Sequence, residues 1–136
     1  MSGTHKILVV EDDQLDQYLI KHASSQVEGF PELHFANSAE AALDMLAAGD
    51  VPALIVTDLN MPGIGGMELI SRVKNDKTLR EIPTVVFSTS SDMEDVRAAY
   101  QRYANSYIVK PDDSQGYLRF AQSIKSYWME ENRLLN

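Results

Sequence analysis

Ala53-Leu54-Ile55-Val56-Thr57-Asp58-Leu59-Asn60 is an apolar run that breaks abruptly onto an acid. A strand with one wet face alternates apolar and polar side chains. This run does not alternate, so both of its faces are covered. The same pattern repeats to either side. Lys6-Ile7-Leu8-Val9-Val10 breaks onto Glu11-Asp12-Asp13, and Leu33-His34-Phe35-Ala36 is a shorter strand. Pro83-Thr84-Val85-Val86-Phe87 breaks onto Ser88-Thr89, and Ser106-Tyr107-Ile108-Val109 onto Lys110-Pro111. Helical stretches separate them. Residues 14–27 carry Leu15, Leu19 and Ile20 on one face. A second helix opens on the capping residues Asn37-Ser38-Ala39-Glu40 and stops at Gly49. Residues 67–74 are a helix that follows a loop of Pro62, Gly63, Gly65 and Gly66, residues 92–102 are expected as a polar, exposed helix, and residues 115–131 form the last helix. Five strands alternating with five helices imply right-handed crossovers and a parallel sheet. The fold expected is α/β, a doubly wound five-stranded parallel sheet flanked by five helices, as one domain over residues 1–136.

Composition narrows the function classes. At 136 residues, 44% apolar and 24% charged, the chain can bury a core without staples. It has no cysteine, which excludes disulfide scaffolds, thiolate metal sites and thiol nucleophiles. No apolar run approaches the roughly 20 residues of a membrane helix. The net charge of −8 disfavours nucleic acid and anionic membranes as partners. Met1-Ser2-Gly3-Thr4-His5-Lys6 reads neither as a secretory leader nor as a myristoylation signal, so a cytoplasmic setting is expected.

In an open parallel sheet, ligands gather outside the carboxyl ends of the strands. Four of the five runs bring a chemical group there: Glu11 and Asp12, then Asp58 and Asn60, then Ser88, then Lys110. The run around His34 brings none and belongs at the sheet margin. Clustered carboxylates repel and need a cation to coexist. Glu11, Asp12 and Asp58 with a backbone carbonyl make an all-oxygen set suited to Mg²⁺, and no histidine lies near enough in sequence to favour zinc. Lys110 suits a phosphate oxygen and Ser88 adds a hydroxyl donor. Together they suit phosphoryl transfer, with a carboxylate as nucleophile. Singly, each group has a plainer reading: Asp12 and Asp58 as helix caps, Ser88 as part of a cap cluster, Lys110-Pro111 as a loop. Independent caps have no reason to be chemically complementary, and that favours the joint reading.

Those segments, Ile7 to Asp13, Ile55 to Gly63, Val85 to Thr89 and Tyr107 to Pro111, resemble the receiver domains of two-component response regulators over essentially the whole chain. The resemblance implies a flavodoxin-like fold with strand order 2-1-3-4-5. It implies that Asp58 accepts a phosphoryl group from a histidine kinase or phosphotransfer protein. Asp12 and Asp58 then ligate Mg²⁺ directly, Asn60 through its carbonyl, and Glu11 mainly through water. Ser88 becomes the switch hydroxyl, Lys110 the phosphoryl partner, and Tyr107 the aromatic that reports the state. Asn60 and Ser90 border the path of attacking water and tune the phosphoryl lifetime. Lys110-Pro111 is a candidate cis peptide. Two positions depart from the family pattern: Thr89 replaces a small residue, and Asp112 an apolar anchor. The acidic loop and aromatic last helix are similar to stand-alone regulators associated with bacterial phytochromes.

The chain stops soon after its last helix, so the expected output is surface recognition or onward phosphotransfer. On that helix Tyr117, Ala121, Ile124 and Trp128 follow helical spacing with Phe120 and Tyr127 flanking the stripe, and sheet packing is the plainer reading for Phe120 and Ile124. Tyr127 and Trp128 are candidates for a partner surface, and a homodimer through the fourth helix, fifth strand and fifth helix is a candidate assembly. His5, His22 and His34 lie away from the acidic edge. Three alternatives stay open. A Mg²⁺-dependent aspartyl-nucleophile phosphatase would want an acid where Asn60 stands. A flavin carrier would want a phosphate loop where Glu11-Asp12-Asp13 stands. A binding module that has lost phosphorylation is the third.

Overall fold

The computed structural model describes residues 5–134; residues 1–4, on which the reading of the N-terminus rests, and 135–136 lie outside it. The elements run β1 (Lys6–Val10), α1 (Gln14–Ser25), β2 (Glu32–Ala36), α2 (Ala39–Ala47), β3 (Leu54–Thr57), α3 (Gly65–Lys74), β4 (Thr84–Ser88), α4 (Met93–Gln101), β5 (Ser106–Val109) and α5 (Ser114–Ser123). Every strand pairing is parallel and the order is β2-β1-β3-β4-β5. β2 is therefore marginal, as its lack of a terminal functional group suggested.

The unbroken apolar runs split by parity between the two sheet faces. Ile7, Val9, Leu54, Val56, Val85 and Phe87 meet Ile20 and Ala23 of α1 and Tyr117, Phe120 and Ala121 of α5. Leu8, Val10 and Ile55 meet Ala39, Ala42 and Leu46 of α2 and Leu69 and Val73 of α3. Each of the buried Val, Leu, Ile and Phe side chains contributes about 1.5–3 kcal/mol on burial, and the polar residues of β3 and β4, Thr57, Thr84 and Ser88, stand at the strand ends.

Two expectations change. Leu15 does not share the buried face of Leu19 and Ile20; it is 62% exposed. It sits in the first turn of α1, where the chain has just left the sheet edge, so helical spacing alone misassigned it. The last helix also does not run uniformly through residues 115–131. After Ser123 it widens to a π-helical winding over Ile124–Glu131. The Asn132 N–H donates to the Tyr127 carbonyl five residues back, at 2.6 Å. Ile124 is buried and Trp128 packs against the α1–α5 core, whereas Tyr127 is exposed.

Candidate functional site

Ladder hydrogen bonds continue one residue past the strand ends and fix the site's frame. The Asp58 N–H donates to the Val10 carbonyl at 3.0 Å, and the Lys110 N–H donates to the Ser88 carbonyl at 2.7 Å. Glu11, Asp58, Ser88 and Lys110 are thereby carried on the carboxyl edge of neighbouring strands, and all four are buried. Lys110 is the hub. Its Nζ donates to Glu11 Oε1 at 2.7 Å, Asp16 Oδ2 at 2.7 Å and Asp58 Oδ2 at 3.1 Å. Asp58 Oδ1 accepts the Leu59 N–H at 2.7 Å, and Glu11 Oε2 accepts the Asp13 N–H at 3.1 Å. Local backbone donors thus aim one oxygen of each carboxylate and leave the other for Lys110.

Charge balance follows from this geometry. Burial pushes the Glu11 carboxyl above its ordinary range, against the pull of the hydrogen bond from Lys110. Burial works the other way on Lys110, but its hydrogen bonds to Asp16 and Glu11 and the field of Asp58 outweigh it and hold the ammonium above the usual lysine value. One ammonium still faces four acids, Glu11, Asp12, Asp16 and Asp58, so the pocket has a standing deficit of positive charge.

Oxygens of Glu11, Asp12 and Asp58 lie within 4.8 Å of one another. Opposite ligands in a Mg²⁺ shell are about 4.2 Å apart, twice the metal–oxygen bond. Asp12 is exposed, so water has access. The donor set is all carboxylate, which fits a hard divalent cation and not zinc. His22 and His34 are elsewhere: His22 stacks on Tyr18 along α1, and His34 lies between Glu32 and Asp50.

The remaining expected residues fall around this centre. Ser88 Oγ accepts the Ser90 N–H at 3.2 Å. The Ser90 hydroxyl donates to Asp95 of α4 at 2.6 Å, and the Tyr107 hydroxyl donates to the Ser90 carbonyl at 2.8 Å. Asn60 and Thr89 are exposed. Asp112 is exposed too, and the final loop is anchored in another way. A Cβ on Gly116 would lie 2.2 Å from Pro111 Cβ, so α5 packs directly on the proline, and Asp113 caps the helix through the Gly116 N–H at 2.8 Å. The Lys110–Pro111 bond is not cis, since no peptide bond among the described residues is; trans is the ordinary preference even before proline.

Asp16 is the residue that sequence reasoning missed. Three positions after the N-cap Asp13, it reads as an ordinary capping-box acid. The structure shows why that reading fails: the Asp13 N–H it would accept is already taken by Glu11. Asp16 turns to Lys110 instead, and its other oxygen accepts the Tyr117 hydroxyl of α5 at 3.2 Å.

A family model described as the response regulator receiver domain matches residues 7–119. The probable methanogenesis regulatory protein FilR2 of Methanothrix harundinacea is 34% identical over 132 residues, covering 93% of this chain and 85% of that protein. The crystal structure of the phosphorylated cyanobacterial phytochrome response regulator RcpA is 30% identical, with a TM-score of 0.92 over 98% of this chain and 100% of the other. The Mn²⁺-bound form of response regulator Rcp1 is 30% identical, with a TM-score of 0.88 over 97% and 99% of the two chains.

Proposed function

The chain belongs to the response regulator receiver domain family, and on that premise we propose that Asp58 is its phosphoacceptor, loaded from the phosphohistidine of a histidine kinase or phosphotransfer protein in a Mg²⁺-dependent reaction. The observation that carries the reading is the Lys110 ammonium, 3.1 Å from Asp58 Oδ2 in a pocket otherwise lined by acids. An Asp58 oxygen attacks phosphorus in line, and the O–P bond forms as the N–P bond to the departing imidazole breaks. Lys110 and the Ser88 hydroxyl donate to the phosphoryl oxygens. Glu11, Asp12 and Asp58, with the Asn60 carbonyl, are the residues that would hold the cation, and when bound it neutralises the pocket and the incoming phosphoryl group. The relatives described as phosphorylated and as Mn²⁺-bound support bringing this chemistry to the present chain.

Signalling then follows from hydrogen bonds already named. Ser88 Oγ accepts from Ser90, whose carbonyl holds the Tyr107 hydroxyl. A Ser88 that turns to a phosphoryl oxygen releases the Ser90 loop, and the Tyr107 ring changes its position with it. This is a population shift between two packings, read at the surface of α4, β5 and α5. Met93, Tyr100 and Val109 leave exposed apolar area there for a partner or a second copy of the chain, and Tyr127 offers more on the last helix. Asn60 and Ser90 border the water path and set the phosphoryl lifetime. A cytoplasmic setting goes with this reading. The Asn60 carboxamide is too weak an acid to protonate a leaving group, which weighs against a phosphatase.

Acetyl phosphate with Mg²⁺, followed by intact mass, tests the assignment. The wild type gains one phosphoryl group, and Asp58→Asn or a chelator prevents it. An undiminished gain in Asp58→Asn refutes the assignment.

A further inference from the structure

A lysine ammonium has three N–H donors. In this structure all three are spent, on Glu11, Asp16 and Asp58. None is spare, so a phosphoryl group on Asp58 gains only the donor that Asp58 Oδ2 now accepts, unless Lys110 also gives up Glu11 or Asp16. Glu11 and Asp58 belong to the carboxylate cluster that would hold the cation. Asp16 does not. It stands in the first turn of α1, its side chain 20% exposed, and it holds Nζ at 2.7 Å against 3.1 Å for Asp58. Asp16 is the partner that can be given up without dismantling the site.

Asp16 is itself held from α5. The Tyr117 hydroxyl donates to its second oxygen at 3.2 Å. Tyr117 is buried, and its ring meets Phe87 edge-on at 5.7 Å, one residue before Ser88. A continuous chain of contacts therefore runs from Asp58 through Lys110 and Asp16 to the first turn of α5. It is separate from the Ser88–Ser90–Tyr107 contacts.

We propose that Asp16 is a positioning residue that competes with the phosphoryl group for Lys110, and that its release of Lys110 is reported to α5 through Tyr117. The proposal rests on the assignment of Asp58 as phosphoacceptor. Before loading, Asp16 shares Lys110 with Asp58 and holds it at the shorter distance. After loading, the lysine goes to the dianion, and Asp16 is left with Tyr117 and water. Neutralising Asp16 removes the competitor, so it speeds phosphorylation.

The rate of phosphoryl gain from acetyl phosphate and Mg²⁺ tests this in wild type, Asp16→Asn and Asp112→Asn. Asp112→Asn removes the same charge two residues from Lys110 at an exposed position that does not contact it. Asp16→Asn is expected to gain its phosphoryl group about tenfold faster, the worth of one charged hydrogen bond in competition. Asp112→Asn is expected to follow wild type. A second readout needs no kinetics: with tyrosine labelled at Cζ, the Tyr117 resonance shifts when beryllofluoride and Mg²⁺ are added to wild type, and does not in Asp16→Asn. An Asp16→Asn rate at or below wild type, an equal gain in Asp112→Asn, or a Tyr117 resonance unmoved in wild type overturns the proposal. A wild type that takes no phosphoryl group overturns the phosphoacceptor assignment with it, whereas a wild type labelled on Asp58 beside an unchanged Asp16→Asn overturns the proposal alone.

Discussion

Lys110 is the residue on which the pocket's stability turns. Three carboxylates converge on its ammonium, so losing that charge leaves them facing one another in a buried site. Lys110→Met keeps the apolar stem and removes the charge together with its three N–H donors. In chelator-treated buffer it is expected to unfold at lower urea, by about 3 kcal/mol, the cost of breaking a buried ion pair from one side. Added Mg²⁺ is expected to restore more stability to this variant than to wild type, because the cation supplies the missing charge. Tyr117 gives a pH prediction at the same scale. Burial and the neighbouring Asp16 push its hydroxyl up to about 12, from an ordinary 10. A group whose folded value is raised contributes its full stability below the unfolded value and loses it as pH climbs through the folded one. Wild type is therefore expected to lose about 2 kcal/mol more than Tyr117→Phe across that window, read from urea midpoints on either side of it.

At the scale of the element, two glycines, Gly66 at the start of α3 and Gly116 at the start of α5, fix how helices approach the site. A Cβ on Gly66 would stand 2.0 Å from the Asp58 carbonyl oxygen and 2.8 Å from Leu59 Cα. The start of α3 thus rests directly on the backbone that carries Asp58. Gly66→Ala must push that helix away, and is expected to lower stability by about 3 kcal/mol, the upper end for overpacking, in a thermal melt. The helix starts are held more locally. Asp13, Ser38, Asp92 and Asp113 each cap a helix with a side-chain oxygen. Such caps are readable in sequence because they depend on residues two or three apart. The widening of the last helix was not readable, because residues 124–131 have the composition of an ordinary helix and a winding change depends on what lies beneath them.

For the whole molecule, the sheet gathers chemistry at one edge, while the exposed apolar residues Met93, Tyr100 and Val109 lie on α4 and β5. If phosphorylation drives pairing through that face, wild type with beryllofluoride and Mg²⁺ is expected to elute at twice the size of the untreated protein, and Val109→Glu to elute unchanged. The sequence by itself determined the fold class, the strand margin and the positions of Glu11, Asp12, Asp58, Ser88 and Lys110, because a buried parallel strand is written as an unbroken apolar run and its end as the first polar residue. Tertiary structure alone decided that Asp16 faces Lys110 rather than its own helix cap, and that Leu15 faces water. Both depend on which neighbours reach a side chain first, and Lys110 meets Asp16 across 94 residues of chain. No local pattern records a competition between groups that far apart.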